Sequence, residues 1–355
     1  MVEFCKLPAR MKRLLLPFAW IYNLVTRFRN HLYNIGYRKS VRFEGVYTIG
    51  VGNLNMGGSG KTPVTEYLIR LLKDRYRLAI LSRGYGRRTR GFRLLAANDE
   101  PVAGGDEPVQ VLRKFKGQIS VAVAEDRSLA IPSLMQQVDG TQVIVLDDIF
   151  QHRRVFPDLN ILLTRYDQPF HSDLLFPAGW LREARIGARR ADVVIFTKSP
   201  EVLRDEDIQR QTLAARRYAG DVPVFFCRHV YGEPVAFGSA QLSGKSVVLV
   251  TGIAQSDFLA KNLPHGLMTI RHFRYADHHI FTVEEVTEIQ EFARSKGATI
   301  LTTEKDMVRL LELPLLAQVA SNPWFYLPVE IGFLHNGKEF DNLVVSKIDR
   351  KLATG

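Results

Sequence analysis

At 355 residues the chain has room for two domains, and its 46% hydrophobic and 24% charged content is that of a soluble α/β protein. The two cysteines, Cys5 and Cys227, lie far apart with no Cys-x-x-Cys pair, which argues against a disulfide framework or a zinc site and fits a reducing compartment. A net charge of +11 points to an acidic partner: nucleic acid, an anionic membrane or a phosphorylated substrate.

The first 42 residues carry nine Lys/Arg (Lys6, Arg10, Lys12, Arg13, Arg27, Arg29, Arg38, Lys39 and Arg42) against one acid, Glu3. Within them the apolar run from Leu14 to Val25 is shorter than the roughly 18–20 residues a membrane span needs. The run continues as a helix pattern, with Phe18, Ile21, Val25, Phe28 and Leu32 on one face and Asn23, Arg27 and Asn30 elsewhere on the wheel. A basic amphipathic helix carrying Trp and Phe lies readily in a membrane interface. Each Lys/Arg near an anionic leaflet adds on the order of 1 kcal/mol. A signal peptide would show the same flanks, but no small-x-small cleavage site follows. A helix packed on the protein's own core is the other reading of the same pattern.

Next comes a buried strand, Val46–Val51, then Asn53-Leu54-Asn55-Met56-Gly57-Gly58-Ser59-Gly60-Lys61-Thr62-Pro63, then Val64, Leu68, Leu71 and Leu72 at helical spacing. Strand, Gly-rich loop and helix form the context of a phosphate-binding P-loop. Its backbone N–H groups, from Asn55 and Met56 through Gly57, Gly58, Ser59 and Gly60 to Lys61 and Thr62, face one anion, and the helix N-terminus adds its positive end. In such a loop Lys61 would reach the β- and γ-phosphates of the nucleotide, and the Thr62 hydroxyl would ligate Mg²⁺. The strict pattern wants Gly where this chain has Asn55.

A second strand, Leu78–Leu81, runs into Ser82-Arg83-Gly84-Tyr85-Gly86-Arg87-Arg88-Thr89-Arg90. Four arginines on a Gly-containing loop at the carboxyl edge of a strand read as an anion site or as a solvated basic loop. Gly105-Asp106-Glu107-Pro108 places two carboxylates before a helix over Val109–Phe115; from spacing alone they read as a helix cap first and a catalytic base second. Strands over Ile119–Val123 and Gln142–Leu146 follow, the second ending in Asp147-Asp148, the arrangement in which a carboxylate holds Mg²⁺ directly or through water. Further strands are expected over Leu159–Leu163 and Val193–Thr197, with a partly apolar loop between them ending in Arg182-Glu183. Five or more such units predict a mainly parallel sheet with helices on both faces. After an extended connector, Ser246–Val250 and Thr299–Leu301 open a second, smaller α/β region. Between those strands sits Asp277-His278-His279. Adjacent histidines in a strand point to opposite faces, which favours a single His–Asp pairing over a shared metal.

Taken together, these residues resemble the tetraacyldisaccharide 4′-kinase family, which phosphorylates the lipid A precursor disaccharide at the bacterial inner membrane. The similarity covers almost the whole chain: the basic apolar N-terminus with Tyr33 and Gly36, the P-loop, Ser82–Arg87, Gly105–Pro108, Asp147-Asp148-x-Phe150-Gln151-His152, Pro177-Ala178-Gly179-x-Leu181-Arg182-Glu183, Asp277–His279 and Thr302–Asp306. The resemblance implies ATP- and Mg²⁺-dependent phosphoryl transfer to a sugar hydroxyl, with the acyl chains staying in the bilayer. Asp106 would be the base, which reverses the reading from spacing, and His278 would tune it. Lys61, Thr62 and Asp147 would hold nucleotide and metal, with Asp148 and Glu107 in support. Arg83, Tyr85, Arg87, Arg127, His152, Arg182 and Glu183 would face the substrate. Two domains closing on each other would keep water from the γ-phosphate.

The implied organisation is a membrane-associating segment over 1–42, a P-loop kinase core over 43–222, a connector over 223–245, the smaller α/β domain over 246–325 and a C-terminal segment over 326–355, its return to the connector one option. The expected location is peripheral, on the cytoplasmic face of the inner membrane, with an anionic lipid surface and the lipid A precursor as partners, and neither nucleic acid nor an obligate protein partner. Ile149, Trp180 and Phe170-His171-Ser172-Asp173 depart from the family pattern. Two other classes compete: a membrane-associated switch ATPase, whose signature Lys is Met56 here, and a GTPase metallochaperone, for which Thr197-Lys198-Ser199-Pro200 lacks the guanine-specifying Asp.

Overall fold

The computed structural model describes residues 13–238, 244–254, 256–264, 266–312 and 315–354. Lys6, Arg10, Lys12, Glu3 and Cys5 lie outside them. The chain divides into two compact units, one made of Met1–Arg83, Gln118–His229 and Ile331–Gly355, the other of Gly84–Gly117 and Val230–Glu330. The segment Gly84–Gly117, expected within the nucleotide core, therefore groups with the second unit.

The first unit is built on seven parallel strands, β1 (Tyr47–Asn53), β2 (Leu78–Ser82), β3 (Ser120–Val123), β4 (Val143–Asp147), β5 (Leu159–Arg165), β6 (Val193–Thr197) and β7 (Val224–Tyr231). Their spatial order is β7-β6-β5-β1-β4-β2-β3, with Val329–Phe333 beside β7. Strands β1, β2, β4 and β6 are buried along their whole length, as strands covered on both faces must be. The stretch read as a connector thus supplies β7. The C-terminal helix Gly337–Leu352 packs on this unit: Phe340 is fully buried against Phe225 and Phe333, and Lys351 pairs with Asp158 at 2.8 Å.

Two glycines on the central strand are there for packing. A Cβ at Gly52 would lie 2.6 Å from Phe150 Cβ, and one at Gly50 would lie 2.7 Å from Ile149 and Pro157. The chain that leaves β4 is therefore laid directly over β1, which brings the end of β4 beside the P-loop.

Helix Leu16–Asn34 is turned opposite to a core helix. Phe18, Trp20, Ile21, Leu24, Val25 and Phe28 are exposed, while Ala19 and Thr26 are buried. The polar side is the docked one: Tyr22 donates to Arg182 O at 2.8 Å and Asn30 Nδ2 to Glu183 at 2.7 Å. Among the described residues no helix is long and apolar enough to cross a membrane.

The second unit carries a five-stranded sheet of β8 (Val235–Ala236), β9 (Ser246–Thr251), β10 (Met268–Arg274), β11 (Thr299–Thr303) and β12 (Trp324–Leu327) in the order β10-β9-β11-β12-β8. All pairings are parallel except β12 with β8. Trp324, Val248, Ile300, Val286 and Ile289 form its core. Helix Val283–Ser295 starts with a capping box between Thr282 and Glu285.

Candidate active site

The P-loop leaves the carboxyl end of β1 and turns through Gly57 (φ 94°) and Gly60 (φ 77°), left-handed values that only glycine takes at little cost. Helix Lys61–Leu72 starts directly after it. Thr197 at the end of β6 donates to Ser59 O at 2.8 Å and pins the loop from below. Lys61 Nζ lies 3.4 Å from Asn53 Oδ1 and 3.5 Å from Asp148.

The loop Phe170–Arg190 braces the same turn. Met56 N donates to Trp180 O at 2.7 Å, and Asn55 Nδ2 donates to Asp173 at 2.8 Å. Two of the positions expected to depart from the family pattern thus join Thr197 in holding the P-loop, Asp173 through its carboxylate and Trp180 through its backbone carbonyl. Asn55 has no left-handed backbone to sustain, so glycine is not needed there, and its amide has a carboxylate to bind.

Asp147 ends β4 and accepts from Ser82 Oγ at 3.2 Å. Asp148 follows in a left-handed conformation (φ 46°), with Arg182 Nη1 3.1 Å from both of its oxygens. Burial alone would raise the Asp148 pKa, but Lys61, Arg182 and Arg127 hold it well below the usual carboxylate range. Arg127 is buried and donates to the carbonyls of Glu125 and Asp148 at 3.0 and 3.1 Å. His152 lies 3.3 Å from Asp126, and burial together with Arg127 lowers its pKa to about 4. Glu183 is fully buried, with Asn30, Gln151 and Arg190 around its carboxylate.

In the second unit, helix Asp106–Lys114 begins at Asp106, after Gly105 at φ 88°. The Asp106 carboxylate does not cap its own helix. Its Oδ2 meets His278 Nδ1 at 2.9 Å and Arg309 Nε at 3.3 Å. His278 sits in a left-handed conformation (φ 61°) in the turn after β10, and its ring lies 4.9 Å from that of Tyr85. His279 turns elsewhere, to Glu285 at 2.9 Å, so the two histidines serve different partners. Lys305 Nζ reaches His278 Nε2 and Asp277 Oδ1 at 3.2 Å and Glu107 Oε1 at 3.3 Å. Arg309, almost fully buried, also donates to Gly252 O, His279 O and Asp306. One helix, Glu304–Leu310, thus supplies both cations.

The sequence matches the family described as tetraacyldisaccharide-1-P 4′-kinase over residues 11–349. Among curated relatives, the tetraacyldisaccharide 4′-kinase of Parabacteroides distasonis is 40% identical over 360 residues, 97% of this chain and 96% of the relative. That of Cytophaga hutchinsonii is 38% identical over 350 residues, 96% and 97% of the two chains. The chain belongs to the tetraacyldisaccharide 4′-kinase family. Among solved structures, LpxK from Aquifex aeolicus in complex with ATP superposes with a TM-score of 0.72 at 29% identity, covering 95% of this chain and 99% of that one. The P-loop α/β fold and the enzyme class, a phosphotransferase with an alcohol acceptor, are those of the family.

Seen as a 4′-kinase, the chain sorts its expected site residues into separate groups. Lys61, Asp148, Arg182 and Arg127 converge in the first unit, where Arg127 and Glu183 are buried props. Glu107 is an ion-pair partner of Lys305 in the second. Arg87 folds back on its own loop, donating to Gly91 O at 2.7 Å, whereas Tyr85 is exposed beside His278. Arg309 escaped the sequence reading altogether. Its signal was the four-residue spacing from Lys305, which puts two cations on one face of a short helix.

Proposed function

We propose that this chain transfers the γ-phosphate of ATP to the 4′-hydroxyl of a tetraacyldisaccharide 1-phosphate, with Asp106 as the base. The observation that carries the assignment is the Asp106–His278 pair at 2.9 Å, in which His278 and Arg309 both meet Oδ2. Oδ1 is then the oxygen for the substrate. As the 4′-oxygen forms its bond to the γ-phosphorus, its proton passes to Asp106 Oδ1, and the β–γ bridging oxygen leaves with ADP. Gly57 to Lys61 would cradle the phosphates, Lys61 neutralising charge on the β- and γ-oxygens.

Mg²⁺ would be held by Asp147 and the Thr62 hydroxyl, with Asp148 committed to Lys61 and Arg182. These hard oxygen donors fit it. Among the described residues no group of three or more acidic, His or Cys side chains could hold a metal ion; an ion held by Asp147 and Thr62 would share ATP oxygens and keep water. Bound there, Mg²⁺ supplies charge neutralisation at the transferring phosphoryl group.

Helix Leu16–Asn34 would lie in an anionic membrane surface through its exposed apolar face, presenting the enzyme to acyl chains that stay in the bilayer. Arg27 and Arg29 lie on the same helix, and Arg38 and Arg42 follow it in the chain. Replacing Leu24 and Phe28 by Glu should abolish sedimentation with phosphatidylglycerol vesicles and leave ATP binding intact; unchanged sedimentation would remove this helix from the membrane role. The whole reading is tested by incubating the protein with radiolabelled ATP and tetraacyldisaccharide 1-phosphate in detergent. A labelled bis-phosphorylated lipid is expected. No labelled lipid, or a preference for GTP, would overturn the reading.

A further inference from the structure

We propose that Lys305 is a positioning residue that fixes the tautomer of His278, keeping its proton on Nδ1 where it is donated to Asp106. An ammonium has three protons and no lone pair, so every atom it bonds must be an acceptor. Lys305 Nζ has three acceptors at nearly equal range: Glu107 Oε1 at 3.3 Å, Asp277 Oδ1 at 3.2 Å and His278 Nε2 at 3.2 Å. The third of these decides the imidazole. With an ammonium on Nε2, that nitrogen must present its lone pair, and the ring proton resides on Nδ1. Nδ1 lies 2.9 Å from Asp106 Oδ2, where an N–H donates to a carboxylate with good geometry.

Lys305 is held to this task. Its ammonium is favoured despite burial, because Glu107 and Asp277 outweigh the desolvation that would lower its pKa. The other groups facing the ring are consistent with it. Asp277 Oδ2 is 3.9 Å from Nε2, beyond hydrogen-bond range, so Lys305 rather than Asp277 is the partner of that nitrogen. Tyr85 meets the ring from its side, and Arg309 reaches Asp106 rather than the imidazole. The consequence for the reaction is directional. A ring protonated on Nε2 instead would set two lone pairs, Nδ1 and Oδ2, against each other and turn the carboxylate away. Orienting a catalytic imidazole through its second nitrogen is a general device; here the orienting group is a cation, Lys305.

The inference rests on Asp106 being the base, and its test does not. The full-length protein labelled with ¹⁵N-histidine is examined by long-range ¹H–¹⁵N correlation at pH 7.5, with His278→Gln used to assign the signal. The wild type should show Nδ1 as the protonated and Nε2 as the bare nitrogen. In Lys305→Met the signature should shift to the Nε2–H tautomer or to a mixture. In parallel, kcat should fall on the order of tenfold or more with KM for ATP unchanged, and Lys305→Arg, which keeps a cationic donor, should recover part of both. A wild-type proton on Nε2 overturns the proposal, as does a Lys305→Met tautomer identical to wild type, whatever activity does. A shifted tautomer with unchanged kcat overturns its link to the reaction. If no lipid were phosphorylated by any variant, the base assignment would fail and the nitrogen signature would still be read.

Discussion

Asp148 in the first unit and Asp106 in the second are both carboxylates among cations, and they are held in opposite ways. Arg182 Nη1 is equidistant from both Asp148 oxygens, and Lys61 adds a third contact. Both oxygens of that carboxylate face a cation, and its pKa is held low by those charges. Asp106 takes both of its partners on one oxygen. A carboxylate gripped on both oxygens anchors cations; one gripped on a single oxygen can still accept a proton. The count of nearby charges does not separate the two roles, but the atom on which they land does.

The sharpest way to break this contrast is to remove each acid in turn. Asp106→Ala should cut turnover by about 10²–10⁴-fold, the usual worth of a positioned base, while ATP affinity stays within about twofold. Asp148→Ala should do the reverse in part, weakening ATP binding because Lys61 and Arg182 lose their common anchor. Steady-state kinetics and equilibrium nucleotide binding on both variants decide it. Wild-type turnover in Asp106→Ala would strip that residue of its role, and unaltered ATP affinity in Asp148→Ala would do the same for the anchor.

A second contrast lies between the two lysines beside the P-loop. Lys61 shares its charge with Asp148, whereas Lys198 at the end of β6 is buried, and a methyl added at Gly58 would sit 3.8 Å from its Nζ. Burial lowers the Lys198 pKa to about 7, with Arg165 adding repulsion and Asp167 opposing it. An unfolded lysine titrates near 10.4. Above that value both states are neutral. As pH falls towards 7 the unfolded chain binds a proton that the folded one refuses, so the native state loses stability through this window and no further below it. Each tenfold difference in proton affinity between the two states is worth about 1.4 kcal/mol, so the loss comes to a few kcal/mol. Lys198→Met should therefore be more stable than wild type at pH 7, with the advantage shrinking as pH approaches 10. Urea melts of the pair across that range measure it, and a difference that does not vary with pH would mean that Lys198 keeps its proton in the fold.

How much of this was legible in the sequence follows from whether the parts are contiguous. The P-loop, the strand ending in Asp147-Asp148 and the strands around them are local patterns, and the observed strands begin and end within a residue or two of the expected ones. Asp106 was different. Spacing alone made it a helix cap, and only the family resemblance named it a base, because its partners His278 and Arg309 lie 172 and more residues away and no periodicity links them. The orientation of helix Leu16–Asn34 was half legible. Its apolar face was evident, but whether that face would be covered depended on Tyr22 and Asn30 finding Arg182 and Glu183, contacts with no local signature. The protein partners of the arginines expected to face the substrate were not legible either. Arg127 and Arg87 spend their donors on backbone carbonyls, which composition cannot anticipate.

Asn55 gives the finest test of how the P-loop is held. A strict P-loop has glycine there, and Asn55→Gly would restore the pattern. If that pattern alone mattered, the change would be neutral or favourable. The geometry says otherwise. Asn55 needs no left-handed backbone, and its amide donates to a carboxylate, Asp173, at 2.8 Å. Removing that bond forfeits a charge-assisted contact, and glycine adds backbone entropy to the unfolded chain, together about 2 kcal/mol. Asp173 would retain Gln168 at 3.3 Å and the backbone N–H groups of Leu174 and Trp180, so the loss should stop short of unfolding the brace. Asn55→Ala isolates the side-chain part, because alanine fits the same backbone without the entropy cost. Denaturant midpoints in the order wild type, Asn55→Ala, Asn55→Gly are expected; a glycine variant as stable as wild type would show that Asp173 does not hold the loop through Asn55.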